Sequence, residues 1–178
     1  ALIRLGDRVT PGRGTGGARI RDEQQLLSMV DQAAEQSLLE TDDRDYIHSL
    51  VEFGDTLVRE VMVPRIDMVT VNSDSSVRET HSRVPVIAGE IDDVAGIAYL
   101  RDASSFMLRR PDEADASLVT RIMKPAIFVP EVQRADKLLR LMQRESNHLA
   151  LAVDEYGGIS GLVTLEDLIE ELLGEITD

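Results

Sequence analysis

The feature that most constrains this chain is an internal duplication. A Val/Ile-Met-X-Pro step at Val61-Met62-Val63-Pro64 returns as Ile122-Met123-Lys124-Pro125, 61 residues later. Each is followed by an aliphatic segment, at 67–71 and at 126–129. His81 and Val86 return as His148 and Val153 at an offset of 67, and Gly96 and Asp102 return as Gly161 and Asp167 at an offset of 65. One order, repeated with offsets that drift by a few residues, is what a duplicated supersecondary unit leaves when its loops vary in length. Each copy reads as short helix, strand, helix, two strands and helix. Such a half leaves one sheet face bare, so the two copies are expected to pack face to face and share an aliphatic core.

Composition narrows the function. Of 178 residues 43% are hydrophobic, with no Cys, no Trp, three Tyr and three Phe. The core is therefore aliphatic, and disulfides, thiolate metal sites and thiol nucleophiles are excluded. Aromatic platforms for single-stranded nucleic acid are missing. The formal net charge of −14 repels nucleic acid and anionic lipid, yet it permits one small anion held by local N–H groups and an arginine. No window approaches eighteen apolar residues, so no helical membrane span is expected in this segment. No signal peptide is marked, and Ala1 in place of Met reads as a fragment of a longer protein.

Residues 1–21 are expected to be a flexible linker. Positions 10–18 carry four glycines and a proline, a flexible composition without the strand and Gly-Lys-Ser/Thr of a phosphate loop. Residues 1–8 read either as the end of an upstream helix or as a frayed terminus. Residues 22–54 form a helical collar. Its first helix starts at Asp22 with the stripe Leu26, Leu27, Val30 and Ala34, and its second follows Thr41 and stops at Gly54. Residues 55–110 and 111–178 are the two repeat units. Strands are expected at 68–71, 81–87 and 94–100 of the first, with a helix at 101–110. In the second copy, Ala135, Leu138, Leu139 and Met142 fall at i, i+3, i+4 and i+7 of a helix. The first copy has nine residues between Val71 and His81, with Val77 the lone aliphatic. Its proline-to-strand spacing is 22 against 28, short by more than a helical turn. Either that helix is truncated or a mobile stretch is absent from this chain. The second is favoured, because a truncated helix leaves a bare sheet face.

The double Met-X-Pro, Ser82-Arg83-Val84-Pro85-Val86 and Gly161-Leu162-Val163-Thr164-Leu165-Glu166-Asp167 resemble a tandem cystathionine-β-synthase (CBS) domain pair. More narrowly, Glu60-Val61-Met62-Val63-Pro64-Arg65, Asp92-Asp93-Val94-Ala95-Gly96, Asp154-Glu155-Tyr156-Gly157-Gly158 and Glu166-Asp167-Leu168-Ile169-Glu170-Glu171 resemble the CorC/HlyC/CNNM family of membrane proteins, linked to magnesium and cobalt efflux and in part labelled hemolysin-like. The resemblance covers roughly residues 22–178. It implies an α/β (α+β) fold, a tandem CBS pair of two βαββα-type units packed sheet to sheet and preceded by two helices. It implies a regulatory module on the cytoplasmic side of the cell membrane, continuous with an upstream membrane domain and forming a homodimer through its CBS pairs. It also implies a regulatory ligand in the inter-CBS cleft, ATP (or ADP or AMP) with Mg²⁺.

The residues suit such a ligand. Asp167 begins a helix, where a carboxylate is favoured, and can accept from both ribose hydroxyls. Thr164, at a strand end, reaches the ribose or first phosphate. Ile127 begins a strand whose backbone can read an adenine edge, with its side chain against the ring. Arg83, beside Ser82, is the candidate cation for phosphate, and against the net charge a polyphosphate is expected to arrive with Mg²⁺. Each residue has a plainer reading: N-cap and first-turn charge for Asp167 and Glu166, β-propensity for Thr164, a surface ion pair for Arg83. Tyr99 stands where the second copy has Thr164, so one occupied site is expected rather than two. Tyr99 leans over the base, bonds a phosphate or packs in the core. Glu166, Glu170 and Glu171, with Asp154 and Glu155, read as a solvated acidic face, and no metal ligand is named. His48, His81 and His148 are isolated, and no activated nucleophile is supplied, so no catalysis is expected. The competing reading is a ligand-free dimerisation module.

Overall fold

The computed structural model describes residues 15–80 and 82–173. The chain divides into two compact units, Ala1–Val51 and Glu52–Asp178. In the first, α1 (Thr15–Glu35) starts seven residues ahead of the expected Asp22. Gly16 and Gly17 are thus helical; their propensity cost, about 1 kcal/mol each, is carried by the long run of helix formers that follows. The rest of the expected linker, residues 1–14, lies outside the described residues. The helix α2 (Thr41–Phe53) opens on Asp42 and Asp43, which complement its N-terminal dipole. His48 is not isolated: its Nε2 lies 2.9 Å from Asp31 Oδ1, tying α2 to α1.

The second unit contains α3 (Val58–Val61), β1 (Val63–Pro64), β2 (Val71–Asn72), β3 (Arg83–Ile87), β4 (Val94–Tyr99), α4 (Leu100–Arg109), β5 (Ile127–Pro130), α5 (Ala135–Glu145), β6 (Leu149–Val153), β7 (Ile159–Thr164) and α6 (Leu165–Leu173). They form two sheets, β1-β7-β6-β5 and β2-β3-β4. Both sheets share a parallel first pair and an antiparallel second pair, as a duplication requires.

The two copies exchange edges. β1, from the first Met-X-Pro step, pairs antiparallel with β7 of the second copy, Val63 opposite Leu162. Lys124, from the second step, exchanges two 2.8 Å backbone hydrogen bonds with Ile97 of β4. Periodicity alone could not show this, since each step sits beside its own copy in sequence. The exchange explains the recurring glycine. A Cβ on Gly96 would lie 2.6 Å from Lys124 O and 3.2 Å from Met123 Cγ. On Gly161 it would collide with Val63 O and stand 2.9 Å from Met62 Sδ.

The strand β6 shows how the core is divided. Leu149 and Leu151 point between the sheets, where they meet Ile97, Ile159 and Leu162. Ala150 and Ala152, on the alternate face, let α5 and α6 approach with Leu138, Met142 and Leu168. Burying each large aliphatic side chain here stabilises by roughly 1.5–3 kcal/mol.

Where the second copy has α5, the first has a single 3-10 turn, Val77–Glu79. The sheet face is nonetheless covered, contrary to the expectation. Val119 packs on Val84, Val86 and Ala98, and Val77 is also buried. Two 2.9 Å bonds, Val77 N to Ser117 O and Val119 N to Ser75 O, stitch that cover in place. β2 is shorter than the expected 68–71, because only Val71 and Asn72 find register on β3.

Candidate functional site

At the start of α6 two side chains cap each other's backbone. Thr164 Oγ1 accepts from the Asp167 amide at 3.2 Å, and Asp167 Oδ2 accepts from the Thr164 amide at 2.8 Å. This is a reciprocal capping box, so the plainer reading of both residues is present in the fold. It engages one carboxylate oxygen of Asp167 and fixes the orientation of the other. Glu166, between them, reaches across to the other copy: its Oε1 lies 2.6 Å from Arg83 Nη1, at the start of β3. Burial pushes the Glu166 carboxyl up, but the Arg83 hydrogen bond, one from its own backbone amide and nearby positive charge together hold it below the usual range.

The matching corner of the first copy is built differently. Tyr99 precedes α4 and gives no side-chain cap. Asp102, the counterpart of Asp167, instead binds Lys124 Nζ through Oδ2 at 2.6 Å. The same ammonium stands 5.0 Å from the centroid of the Tyr99 ring. Burial raises the Tyr99 phenol, with Lys124 and Arg83 opposing. The ring packs against the inter-sheet core, which matches the plainer reading of Tyr99. The two ion pairs thus cross: each joins a cation of one copy to a first-turn carboxylate of the other copy's helix.

Beside these pairs opens a cleft of about 950 Å³, lined by Ser82, Arg83, Tyr99, Arg101, Lys124 and the stretch 146–148. Its walls are set by backbone geometry. Ser146 ends α5 in the left-handed region, φ 52°, with Asn147 N bonded back to Met142 O at 3.0 Å, turning Asn147 and His148 to the opening. Leu100 N donates to Ser82 O at 2.9 Å and Leu165 N to His148 O at 3.0 Å, one bond in each copy.

Of the residues expected from sequence, Ser82, Arg83 and Tyr99 line this cleft together. Thr164 and Asp167 do not line it; they flank Glu166, which holds Arg83. Ile127 begins β5 opposite Ala150, three residues after Lys124, and is also outside the lining. Sequence reasoning missed Lys124 and Arg101, and took His148 for an ordinary surface residue. Lys124 carried a signal, being a charge at the X of Met-X-Pro where the first copy has Val63. His81 lies outside the described residues. Among the described residues, no three His, Asp or Glu side chains converge as a metal-holding group, and no helix is long and apolar enough to cross a membrane.

The motif loops that carried the resemblance are structural braces. Asp92 accepts from both terminal nitrogens of Arg65, Nη2 to Oδ2 at 2.7 Å, and from the Ile159 amide at 2.8 Å. The Arg65 guanidinium, then the Ile159 amide, lower its carboxyl to about 2. Asp154 closes its own hairpin, accepting from the amides of Tyr156 and Gly158 at 2.8 Å each.

Known proteins share this architecture. The family model of the CBS domain matches residues 119–174. The UPF0053 protein Rv2366c of Mycobacterium tuberculosis is 44% identical over 185 residues, covering 99% of this chain and 42% of that protein. The magnesium and cobalt efflux protein CorC of Escherichia coli is 34% identical, covering 92% of this chain and 57% of its own length. The solved CBS domain of the bacterial CNNM/CorC family Mg²⁺ transporter superposes with a TM-score of 0.78 at 36% identity, covering 88% of this chain and 98% of that one. That family's CBS domain in complex with ATP superposes at 0.66 with 39% identity, covering 74% and 96%. This chain belongs to the CNNM/CorC family, of which it is the tandem CBS-domain portion. It spans about half the length of the curated relatives it matches.

Proposed function

We propose that this chain is the regulatory CBS pair, on the cytoplasmic side, of a membrane-anchored magnesium or cobalt efflux protein, and that it binds an adenosine nucleotide in the cleft between its two copies. The observation that carries the reading is one concave site whose lining, in a chain of net −14, holds Arg83, Arg101 and Lys124 and no carboxylate. Its volume is in the range of small-molecule and cofactor sites. Glu166 and Asp102 pair with Arg83 and Lys124 from outside that lining, so a phosphate would take the place of a carboxylate there, while the surrounding field turns polyanionic chains away.

The roles follow from chemistry. The Thr164–Asp167 corner, already held by its capping box, suits the paired hydroxyls of a ribose. Ile127 and the adjacent backbone suit the base. Arg83 and Lys124 face the phosphates, with Ser82 as a further donor. ATP with Mg²⁺ fits this charge best, with ADP and AMP in the same class. The relative whose CBS domain was solved with ATP supports the assignment. Binding would favour one arrangement of the two copies, and α1 and α2, which precede the pair in the chain, would be the covalent path to a membrane domain upstream. Association through the CBS pairs as a homodimer belongs to the same reading. Among the described residues no side chain is set up as a nucleophile with its base, and the role proposed is regulatory.

Isothermal titration with ATP·Mg, paired with thermal unfolding, tests the proposal. Saturation at a hundred times Kd should stabilise the chain by about 2.7 kcal/mol. No heat and no shift in melting would favour the ligand-free dimerisation module instead.

A further inference from the structure

We propose that α4 carries a second anion site, separate from the inter-copy cleft, which takes a phosphate group or a short polyphosphate. Asp102, Ser105, Phe106 and Arg109 fall at i, i+3, i+4 and i+7 of α4 and so share one helix face. With Arg110, Arg121 and Ile122 they line a hollow of about 410 Å³. The inter-copy cleft uses other positions of the same helix, Leu100, Arg101 and Ser104. Three guanidiniums reach the hollow from two directions. Arg109 ends α4, and Arg110 follows with φ −141° and ψ 62°, where the chain leaves the helical path. Arg121 closes the 3-10 turn Val119–Arg121, just ahead of the second Met-X-Pro step.

The charges there do not cancel. Glu113 answers two of the arginines with one oxygen: its Oε2 lies 3.2 Å from Arg110 Nη1 and 3.5 Å from Arg121 Nη1. Among the described residues, Arg109 has no carboxylate within ion-pair distance. Asp102, the carboxylate in the lining, is engaged by Lys124 Nζ at 2.6 Å. It also stands seven residues from Arg109, about 10 Å along the helix axis, so an oxyanion at the arginine end does not meet it directly. Arg121 is oriented in advance. Its Nη1 donates to Ser117 Oγ at 2.8 Å, and its Cζ stands 5.3 Å from the centroid of the Phe106 ring, a cation–π contact. Fork-shaped donors arriving from several directions suit the tetrahedral oxygens of a phosphate, whereas a planar carboxylate matches one fork edge. Glu113 is half-exposed, and its contacts yield readily to a dianion. The hollow exceeds a single phosphate, which leaves room for a second one or for the body of an organic phosphate. A ligand there would tie the end of α4 to the turn at 119–121, the two ends of the connection between the copies.

The test titrates the unaltered chain, Arg109→Ala, Arg109→Lys and Arg121→Ala with inorganic phosphate, pyrophosphate and phenyl phosphate at constant ionic strength, followed by calorimetry and by amide NMR shifts. Pyrophosphate should shift the amides of Ser105, Phe106, Arg109 and Arg121. Each alanine variant should bind it roughly tenfold more weakly, the loss of one hydrogen bond to a charged group. Arg109→Lys should recover part of that loss, since it keeps the charge and gives up the fork. Arg121→Ala also removes the bond to Ser117, so Arg109→Ala, which breaks no ion pair, is the cleaner variant. Arg83→Ala, which alters the inter-copy cleft, should leave these shifts in place. Phenyl phosphate binding tighter than inorganic phosphate would mark an organic phosphate as the ligand, and pyrophosphate binding tighter than both would mark a polyphosphate. Shifts confined to Ser82, Arg83 and residues 146–148, or affinity unchanged in both alanine variants, would overturn this site and leave the nucleotide reading untouched. Absence of any shift with all three probes at millimolar concentration would overturn it as well.

Discussion

Arg65 and Asp92 meet at two points, with Asp92 Oδ2 2.7 Å from Arg65 Nη2 and Oδ1 on Nη1, while Arg65 also donates to Ile159 O at 3.0 Å. One guanidinium thereby fastens the segment after β1, the β3–β4 loop and the first residue of β7. The pH consequence has a definite sign. The Asp92 carboxyl is lowered to about 2 in the fold from an ordinary value near 4. Its contribution is therefore present above about pH 4 and is lost as pH falls toward 2. Asp92→Asn should lower the unfolding temperature at pH 7 and make the decline between pH 4 and pH 2 shallower than in the unaltered chain. Scanning calorimetry across that range checks it; parallel acid limbs would remove Asp92 as their source.

Gly96 and Gly161 stand where the exchanged edges cross. Gly96→Ala must push a methyl against Lys124 O, and Gly161→Ala must push one against Met62 and Val63. Backbone atoms on the far side cannot yield as a flexible side chain would. Each substitution is expected to cost about 1–3 kcal/mol, read from the midpoint of a urea titration. A loss within error of zero would show that the crossing has slack.

Asp167 caps α6, and under the proposed function it would also hold the ribose; one substitution separates the two. Asp167→Ala removes the capping box at a cost of about 1 kcal/mol, leaving the chain folded. It should also abolish the rise in melting temperature caused by ATP·Mg. A variant with the lower starting temperature but an undiminished nucleotide shift would assign Asp167 to the cap alone.

Arg83→Ala should scarcely alter unfolding, because an exposed ion pair contributes at most about 1 kcal/mol. It should weaken ATP more than adenosine in competitive titration. Equal losses for the two ligands would mean that Arg83 touches no phosphate.

Much of this was legible in the chain because the repeat is written in residues with few alternatives. Glycine at 96 and 161, proline at 64 and 125, and the aliphatic spacing of Ala135, Leu138 and Met142 each permit few local geometries. Thr164 and Asp167 were also readable as a helix start, since three residues separate a hydroxyl from a carboxylate there. What escaped were contacts made only by tertiary packing. That Val63 would pair with Leu162 rather than within its own copy has no local signature. The Arg83–Glu166 and Lys124–Asp102 pairs span long separations among many acids, and sequence gives no rule for choosing partners. The cover supplied by Val119 escaped for the same reason, since a three-residue turn carries no periodicity.

The traded edges make the duplication an interdependent whole. Cut between residues 110 and 117, the polypeptide would yield two pieces, each missing a ribbon that the other carries. Neither piece is self-sufficient, so each should be poorly ordered alone, and mixing them should restore the native circular dichroism at a rate that depends on concentration. Such a molecule behaves as a split reporter in waiting, and any event that pries one copy from the other is felt at once by both.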